Sequence, residues 1–219
     1  MRYRKISKRL PPTRTPTRQS PKKPHRQPSY ARRGPLDRDH LDADPFVQFE
    51  RWLNDAIAEI DAEPNAMALA TVDAHGAPSA RTVLLKFFDR QGFVFFTNLE
   101  SRKAREMAGN ARVSLLFPWL QFDRQAIIQG RAQRISAAES LRYFMSRPHD
   151  SQLAAWVSNQ SQPLSSRQIL LQKFDEMKRK FADGAVPMPS FWGGYRVSHQ
   201  RVEFWQGREQ RLHDRFEYS

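Results

Sequence analysis

The chain has 219 residues, of which 39% are hydrophobic and 11% aromatic, so it is long enough for one substantial domain with its own core. It contains no cysteine, which excludes disulfides, thiolate metal ligands and a cysteine nucleophile. The net charge of +13 is concentrated at the N-terminus: the first 33 residues hold 12 of the 36 basic residues and no acidic residue. The remainder is nearly neutral, so the charge does not predict a nucleic-acid-binding domain.

Residues 1–36 form a basic segment that contains seven of the 15 prolines. Such a composition offers too little apolar surface to offset the entropy of ordering, so we predict a disordered tail over 1–36 and one domain over 37–219. The tail lacks the apolar core of a secretory signal, and no apolar run approaches the roughly 18 residues of a membrane span. We therefore expect a cytoplasmic protein without membrane contact, in which any contact with nucleic acid is confined to the tail.

The first structured elements are predicted to be one helix and a β meander. Asp44 and Pro45 have the character of an N-cap followed by a first-turn proline. Apolar residues then recur at helical spacing, at Phe46, Phe49, Leu53, Ile57 and Ile60. Strands are predicted over 67–72, 79–88 and 93–97, and the short turns between them favour antiparallel pairing.

A first candidate anion site follows the third of these strands. Thr97 and Ser101 supply hydroxyls, and Arg102 and Lys103 lie in the first turn of a predicted helix, where the helix dipole disfavours cations. A bound phosphate would remove that conflict, whereas the alternative is a solvated pair of cations. Arg81 and Lys86 are an odd number of residues apart in the predicted strand 79–88, which places them on opposite faces unless a bulge intervenes.

A second candidate anion set lies farther along the chain. Two strands are predicted over 112–119 and 124–134, with Gln125 near the start of the second, and Ser136 begins a helix to about residue 146 through a capping box with Glu139. Tyr143 and Arg147 share a face of that helix, and Ser151 follows. Residues 156–162 have the composition of a loop, and the apolar stripe of a long helix over 165–181 is interpreted as core.

The segment 191–215 ends in a cationic cluster. Arg211, His213 and Arg215 alternate with other residues, so a strand would place them on one face; the alternative is a solvated edge strand. Two phosphate sites indicate a phosphorylated cofactor and a phosphorylated substrate, and Trp205 suits a flat heteroaromatic ring. There is no GxGxxG, P-loop or HExxH motif, and no metal site is predicted.

Several blocks in order give the chain a family resemblance from about Asp44 to Ser219. They are ARTVLLK (80–86), FFTNLESRKAREM (95–107), NARVSLLFPW (110–119), RQAIIQGRAQRIS (124–136), YFMSRPHDSQLAAWVSNQS (143–161), PSFWGGYRVSHQRVEFWQG (189–207) and RLHDR (211–215). Together they resemble the pyridoxine/pyridoxamine 5′-phosphate oxidase family, and the pairing of PSFWGG with EFWQG and RLHDR is highly specific.

The resemblance implies a mainly β, α+β fold: an antiparallel split β-barrel with peripheral helices that binds FMN at the interface of a homodimer. It implies oxidation of pyridoxamine or pyridoxine 5′-phosphate to pyridoxal 5′-phosphate. A hydride equivalent passes from the substrate C4′ to flavin N5, and O₂ reoxidises the flavin with release of H₂O₂. The choice between the amine and the alcohol substrate is left open.

The resemblance also assigns roles residue by residue. The implied cofactor-binding residues are Arg81, Val83, Leu84, Lys86, Phe96, Thr97, Arg102, Lys103, Gln125, Gln160, Ser161, Trp205 and Arg215. The implied substrate-binding residues are Lys86, Tyr143, Arg147, Ser151, Arg211 and His213, with Tyr30 as a further candidate. Arg211 and His213 are the implied catalytic residues, placed over the substrate ring.

Three departures from the family pattern give further expectations. Phe96 stands where a tyrosine is common, and the segment 27–30 keeps Tyr30 but lacks the arginine and glutamate of the family's lid. The resemblance also implies a further C-terminal strand, so we expect an exposed sheet edge and weaker FMN binding than in a longer relative. The alternatives are a flavin oxidase of the same fold with another substrate, and a non-catalytic protein that binds FMN or pyridoxal phosphate.

Overall fold

A computed structural model describes residues 34–61, 63–158, 167–182 and 184–219. The predicted site residues Tyr30, Gln160 and Ser161 lie outside these described residues, as does most of the predicted tail.

Thirteen main elements make up the described part of the chain. The helices are α1 (Pro45–Glu59), α2 (Arg102–Gly109), α3 (Ala137–Ser146), α4 (His149–Val157) and α5 (Arg167–Lys180). The strands are β1 (Ala66–Val72), β2 (Pro78–Leu84), β3 (Phe87–Asp89), β4 (Gly92–Asn98), β5 (Arg112–Trp119), β6 (Arg124–Arg134), β7 (Trp192–Gln206) and β8 (Asp214–Tyr218).

All eight strands belong to one antiparallel sheet in the order β2-β1-β5-β6-β7-β4-β3, and β8 pairs with β7. The long strand β7 pairs with β4 through its first half and with β8 through its second half. The sheet curls around a core that includes Phe49, Leu115 and Phe204, and the helices lie at its periphery. The predicted mainly β, split-barrel architecture with peripheral helices is confirmed.

Helix α1 begins as its sequence predicts. The Asp44 side chain accepts a hydrogen bond from the backbone N–H of Phe46, and Pro45 occupies the first turn. The apolar stripe differs from the prediction at one position: Ile57 is exposed, and Trp52 is buried against Phe204 instead. The helix therefore presents a slightly rotated face to the sheet.

The prediction of a single strand over residues 79–88 was wrong. Strand β2 ends at Leu84 and β3 begins at Phe87. Between them the backbone N–H of Leu85 bonds to the carbonyl of Asn65, and that of Lys86 bonds to the carbonyl of Val94. The chain thus crosses from the β1 side of the sheet to the β4 side, which changes the direction of the Lys86 side chain relative to β2.

Two further predictions need correction. Trp156 and Val157 were predicted in a loop but form the last residues of α4. Residues 211–215 are not one strand: a short 3₁₀ turn, Glu209–Arg211, precedes β8. Arg211 and His213 lie before that strand begins at Asp214, so strict alternation does not apply to them.

An N-terminal strap, residues 34–44, packs along the C-terminal strand. Leu36 was predicted in the tail but is buried in the core, and its backbone N–H donates to the Asp214 carboxylate at 3.1 Å. The Tyr218 hydroxyl donates to the carbonyl of Asp42 at 2.7 Å. The folded domain therefore begins before residue 37.

Candidate active site

A cleft of about 610 Å³ opens between β2, β4 and the start of α2. Its volume lies in the range typical of small-molecule sites. It is lined by Ser79, Ala80, Arg81, Thr82, Val83, Leu84, Lys86, Phe96, Thr97, Arg102 and Lys103. Four cationic side chains therefore face one cavity, as an anion site requires.

The break between β2 and β3 explains why Arg81 and Lys86 line the same cleft. Their spacing would put them on opposite faces of a continuous strand. Because the strand stops at Leu84 and the chain turns at Leu85, Lys86 comes to the same side as Arg81. The structure thus brings together two cations that the sequence pattern alone separates.

The carboxylate of Glu106, which the sequence analysis did not single out, organises the cationic end of the cleft. Glu106 is 6% exposed and accepts hydrogen bonds from Thr71 (2.5 Å), Ser79 (2.7 Å), Arg81 (3.1 Å) and Arg102 (2.6 Å). It lies one helical turn after Arg102, a spacing that is common on solvated helix faces and so gave no distinct signal.

Arg81 is held by this network through both terminal nitrogens. Nη1 donates to the Leu69 carbonyl and the Thr71 hydroxyl, and Nη2 donates to Ser79 and Glu106. Four of the five guanidinium N–H groups can thus be used within the described residues. Arg81 enters the cleft as a fixed charge rather than as a mobile ligand.

The network also sets the protonation states around the cleft. Burial alone would raise the pKa of Glu106, but the hydrogen bonds from Thr71, Ser79 and Arg102 outweigh it and lower that pKa to about 2. Burial, followed by the charge of Arg81, lowers the pKa of Lys103. Lys103 donates to the hydroxyl of Thr97 at 3.1 Å, which holds the ammonium at the cleft wall.

The second predicted anion set adjoins the cleft through stacked aromatic rings. Phe96 lines the cleft and stacks on Tyr143 with ring centroids 4.1 Å apart, and on Trp192 at 4.9 Å. Tyr143 lies on α3, Arg147 caps the C-terminus of that helix, and Ser151 lies in the first turn of α4. The α3–α4 junction therefore carries all three predicted residues.

The Arg147 guanidinium is partly buried beside an aromatic ring. Its guanidinium carbon lies 5.0 Å from the centre of the Trp192 ring, and burial lowers its pKa. Its Nη1 atom is buried and has no hydrogen-bond partner among the described residues. A buried donor without an acceptor is unfavourable, and a phosphate oxygen would satisfy it.

Gln125, Trp205 and Arg215 form one row across three adjacent strands. Gln125 on β6 is directly opposite Trp205 on β7, and Trp205 is directly opposite Arg215 on β8. Residues directly opposite in an antiparallel sheet share a face. The His213 ring packs 4.6 Å from the Trp205 ring, and Arg215 donates to Glu203 at 2.6 Å.

The described chain does not bring this row into the cleft. None of Gln125, Trp205, Arg211, His213 and Arg215 lines the 610 Å³ cavity. Arg211 is exposed in the turn before β8. Among the described residues, the cationic set therefore lines the cleft and the row Gln125–Trp205–Arg215 does not.

The described residues contain no cluster of three or more histidine, aspartate or glutamate side chains that could hold a metal ion. None of the helices in that part of the chain has the length and apolar character of a membrane span.

The donor set fits a flavin mononucleotide, because four cations suit a terminal phosphate and the flanking aromatic rings suit a planar ring system. An antiparallel split barrel with such a cleft defines the class of FMN-binding split-barrel proteins. An FMN-binding protein from Nostoc punctiforme related to pyridoxamine 5′-phosphate oxidase has this fold, with a TM-score of 0.60 at 12% identity over 82% of this chain and 100% of that chain.

Two family models identify the family of the chain more specifically than this likeness in fold does. The model for pyridoxamine 5′-phosphate oxidase matches residues 53–181, and that for the pyridoxine 5′-phosphate oxidase C-terminal dimerisation region matches residues 192–219. The chain therefore belongs to the pyridoxamine 5′-phosphate oxidase family.

Three relatives illustrate the similarity. The pyridoxine/pyridoxamine 5′-phosphate oxidase of Rippkaea orientalis is 58% identical over 87% of this chain and 89% of its own length. That of Escherichia coli O9:H4 is 56% identical over 85% of this chain and 86% of its own length. PhzG from Burkholderia lata, solved with tetrahydrophenazine-1-carboxylic acid, has a TM-score of 0.78 and 30% identity over 88% of this chain and 90% of that chain.

Proposed function

We propose that this chain is an FMN-dependent oxidase that converts pyridoxine or pyridoxamine 5′-phosphate to pyridoxal 5′-phosphate. Family membership supports the reaction. The observation that carries it is the pairing of two anion-binding sets through the Phe96–Tyr143 stack, since cofactor and substrate each bear a phosphate.

The cationic cleft holds the phosphate end of FMN. Arg102, Lys103 and Thr97 bind the phosphate, while Arg81, fixed by Glu106, contributes charge. When bound, FMN would accept two electrons from the C4′ carbon of the substrate, and O₂ would reoxidise it with release of H₂O₂.

The substrate phosphate binds at the α3–α4 junction. Arg147 offers its unpartnered Nη1, and Tyr143 and Ser151 add hydroxyl donors. Lys86 also lines the cleft and adds a further cation. Arg211 and His213 orient the pyridine ring and present polar hydrogens to it.

The row Gln125–Trp205–Arg215 completes the site from a second copy of the chain. Within one chain this row does not line the cleft, and the C-terminal segment matches a dimerisation region. A two-fold dimer would place the row of each copy over the flavin held by the other, which gives two sites per dimer.

Aerobic turnover tests the proposal. The purified chain is supplied with FMN and pyridoxine 5′-phosphate or pyridoxamine 5′-phosphate, and pyridoxal 5′-phosphate and H₂O₂ are followed together. We expect both products in equal amounts. Unphosphorylated pyridoxine is the control and should react poorly, because it leaves Arg147 unpaired. A flavin-loaded protein that forms neither product would refute the function.

A further inference from the structure

The turn that joins β7 to β8 adopts an unfavourable backbone. Gln210 and Arg211 are consecutive and both left-handed, with φ angles of 57° and 63°, although neither is a glycine. Residues with a Cβ atom rarely adopt this backbone conformation, which persists only where surrounding contacts impose it. Arg211 is one of the two residues assigned to the substrate ring.

Contacts at both ends hold the turn in place. At its start, the backbone N–H of Gly207 donates to the carbonyl of Asp123 at 2.7 Å. At its end, the Asp214 carboxylate pairs with Nη1 of Arg208 at 3.1 Å and accepts the N–H of Leu36. The Arg208–Asp214 pair closes the loop across six residues.

Arg208 makes a second contact across the same turn. Its backbone N–H donates to Nδ1 of His213 at 3.0 Å. An imidazole nitrogen that accepts a hydrogen bond carries no proton, so the neutral ring holds its proton on Nε2. The ring also packs against Trp205. The backbone N–H of Arg208 therefore fixes both the position of His213 and the nitrogen that bears its proton.

We propose that Arg208 and Asp214 are positioning residues that hold the strained turn and so aim Arg211 and His213 at the substrate, with His213 presenting Nε2–H as a hydrogen-bond donor. This inference rests on the proposed function. Arg208 lies between the EFWQG and RLHDR blocks, and its ion pair with Asp214 joins it to the second of them.

Kinetics of the holoenzyme test the positioning role. For Arg208→Ala we expect kcat to fall about fivefold, with KM and the Kd for FMN each within about twofold, because misaligned catalytic groups mainly slow the chemical step. Arg208→Lys keeps the charge and should restore most of the loss. Arg201→Ala is the matched control, since it removes the exposed Arg201–Glu217 pair between the same two strands.

A kcat for Arg208→Ala equal to that of Arg201→Ala would overturn the proposal. Loss of FMN affinity and stability with an unchanged kcat at saturating FMN would also overturn it, because it would indicate a structural role alone. A wild-type chain without turnover would instead refute the proposed function.

Nitrogen NMR of the His213 ring is independent of turnover. In the wild-type holoprotein at a pH where the ring is neutral, we expect an unprotonated Nδ1 and a protonated Nε2. Arg208→Ala keeps the backbone N–H that donates to Nδ1, so it should leave the Nε2–H tautomer in place, as should Arg201→Ala. A proton on Nδ1 in the wild-type protein would overturn the assignment of His213 as a donor through Nε2.

Discussion

Two charged side chains, Arg147 and Glu106, differ sharply in how many hydrogen-bond partners they have in the described chain. Arg147 has a buried Nη1 atom without an acceptor among the described residues, and burial lowers its pKa. Glu106 has the opposite character, with four donors on one carboxylate. In the proposed function, Arg147 binds the substrate phosphate, whereas Glu106 holds Arg81 and Arg102 in place beside the cleft.

We expect Arg147→Ala to raise KM for pyridoxine 5′-phosphate about 10- to 100-fold, because hydrogen bonds to charged groups contribute about 1.5–3 kcal/mol. The Kd for FMN should stay unchanged. Arg142→Ala, at an exposed position of the same helix, is the control. Steady-state kinetics and FMN titration give the values, and an unchanged KM for Arg147→Ala would contradict the assignment.

The lowered pKa of Glu106 predicts that the free energy of unfolding falls at acid pH. Its pKa in the folded protein is about 2, against an ordinary value of 4.5. A lowered pKa stabilises the folded state above the ordinary value, and that contribution is lost as pH falls from about 4.5 to about 2. Urea unfolding across this range should show a shallower pH dependence for Glu106→Gln than for the wild type.

Glu50→Gln, at an exposed position of α1, is the matched control for that experiment and should follow the wild type. Equal pH slopes for Glu106→Gln and the wild type would show that the carboxylate is not held in its charged form by the network.

The Glu106 network could not be predicted from sequence, because its partners Thr71 and Ser79 lie 35 and 27 residues away. A glutamate four residues after an arginine on a helix is an ordinary surface pattern. By contrast, the cations at Arg102 and Lys103 were predicted as a site, because their position at a helix start conflicts with the dipole. In the structure both side chains line one cleft.

At the scale of elements, strong local patterns were predictable and interruptions were not. Strands β5 and β6 have the predicted bounds, and the Ser136–Glu139 capping box is present at the start of α3. The break after Leu84 depends on the carbonyl acceptors of Asn65, just before β1, and of Val94 on β4, which the local sequence does not reveal. The turn before β8 likewise depends on the distant Asp123 and Leu36.

The strained turn gives a prediction with an internal control. Gln210→Gly should raise the free energy of unfolding by about 1 kcal/mol, because glycine adopts a positive φ without the cost that other residues bear. Glu209→Gly should lower it, because Glu209 has no positive φ and glycine only adds freedom to the unfolded chain. Urea denaturation measures both, and a destabilised Gln210→Gly would contradict the assigned strain.

At the scale of the whole molecule, the proposed function assigns each site to residues from two chains. The cleft and the row Gln125–Trp205–Arg215 are separate surfaces of one chain. Sequence reasoning assigned these residues to one site through the family resemblance, and no pattern in the sequence tells which chain contributes each residue.

Mixed dimers test the two-chain arrangement. Arg102→Ala damages the cleft and Trp205→Ala damages the row, so each homodimer should be inactive. After refolding as an equal mixture, half of the dimers are mixed and each has one intact site, so about one quarter of wild-type activity should return. Mixing Arg102→Ala with Lys86→Ala is the control and should restore nothing. No recovery in the first mixture would place the whole site within one chain.

The N-terminal strap also constrains the order of events during synthesis. Leu36 and Asp214 are 178 residues apart, and Asp42 and Tyr218 are 176 apart. At translation rates of 5–20 residues per second, the strap emerges roughly 10 to 40 seconds before its partners exist. At the end of that interval the second half of β7 has been made but still lacks its β8 neighbour. Nascent chains are therefore most exposed to strand-edge association just before β8 is completed.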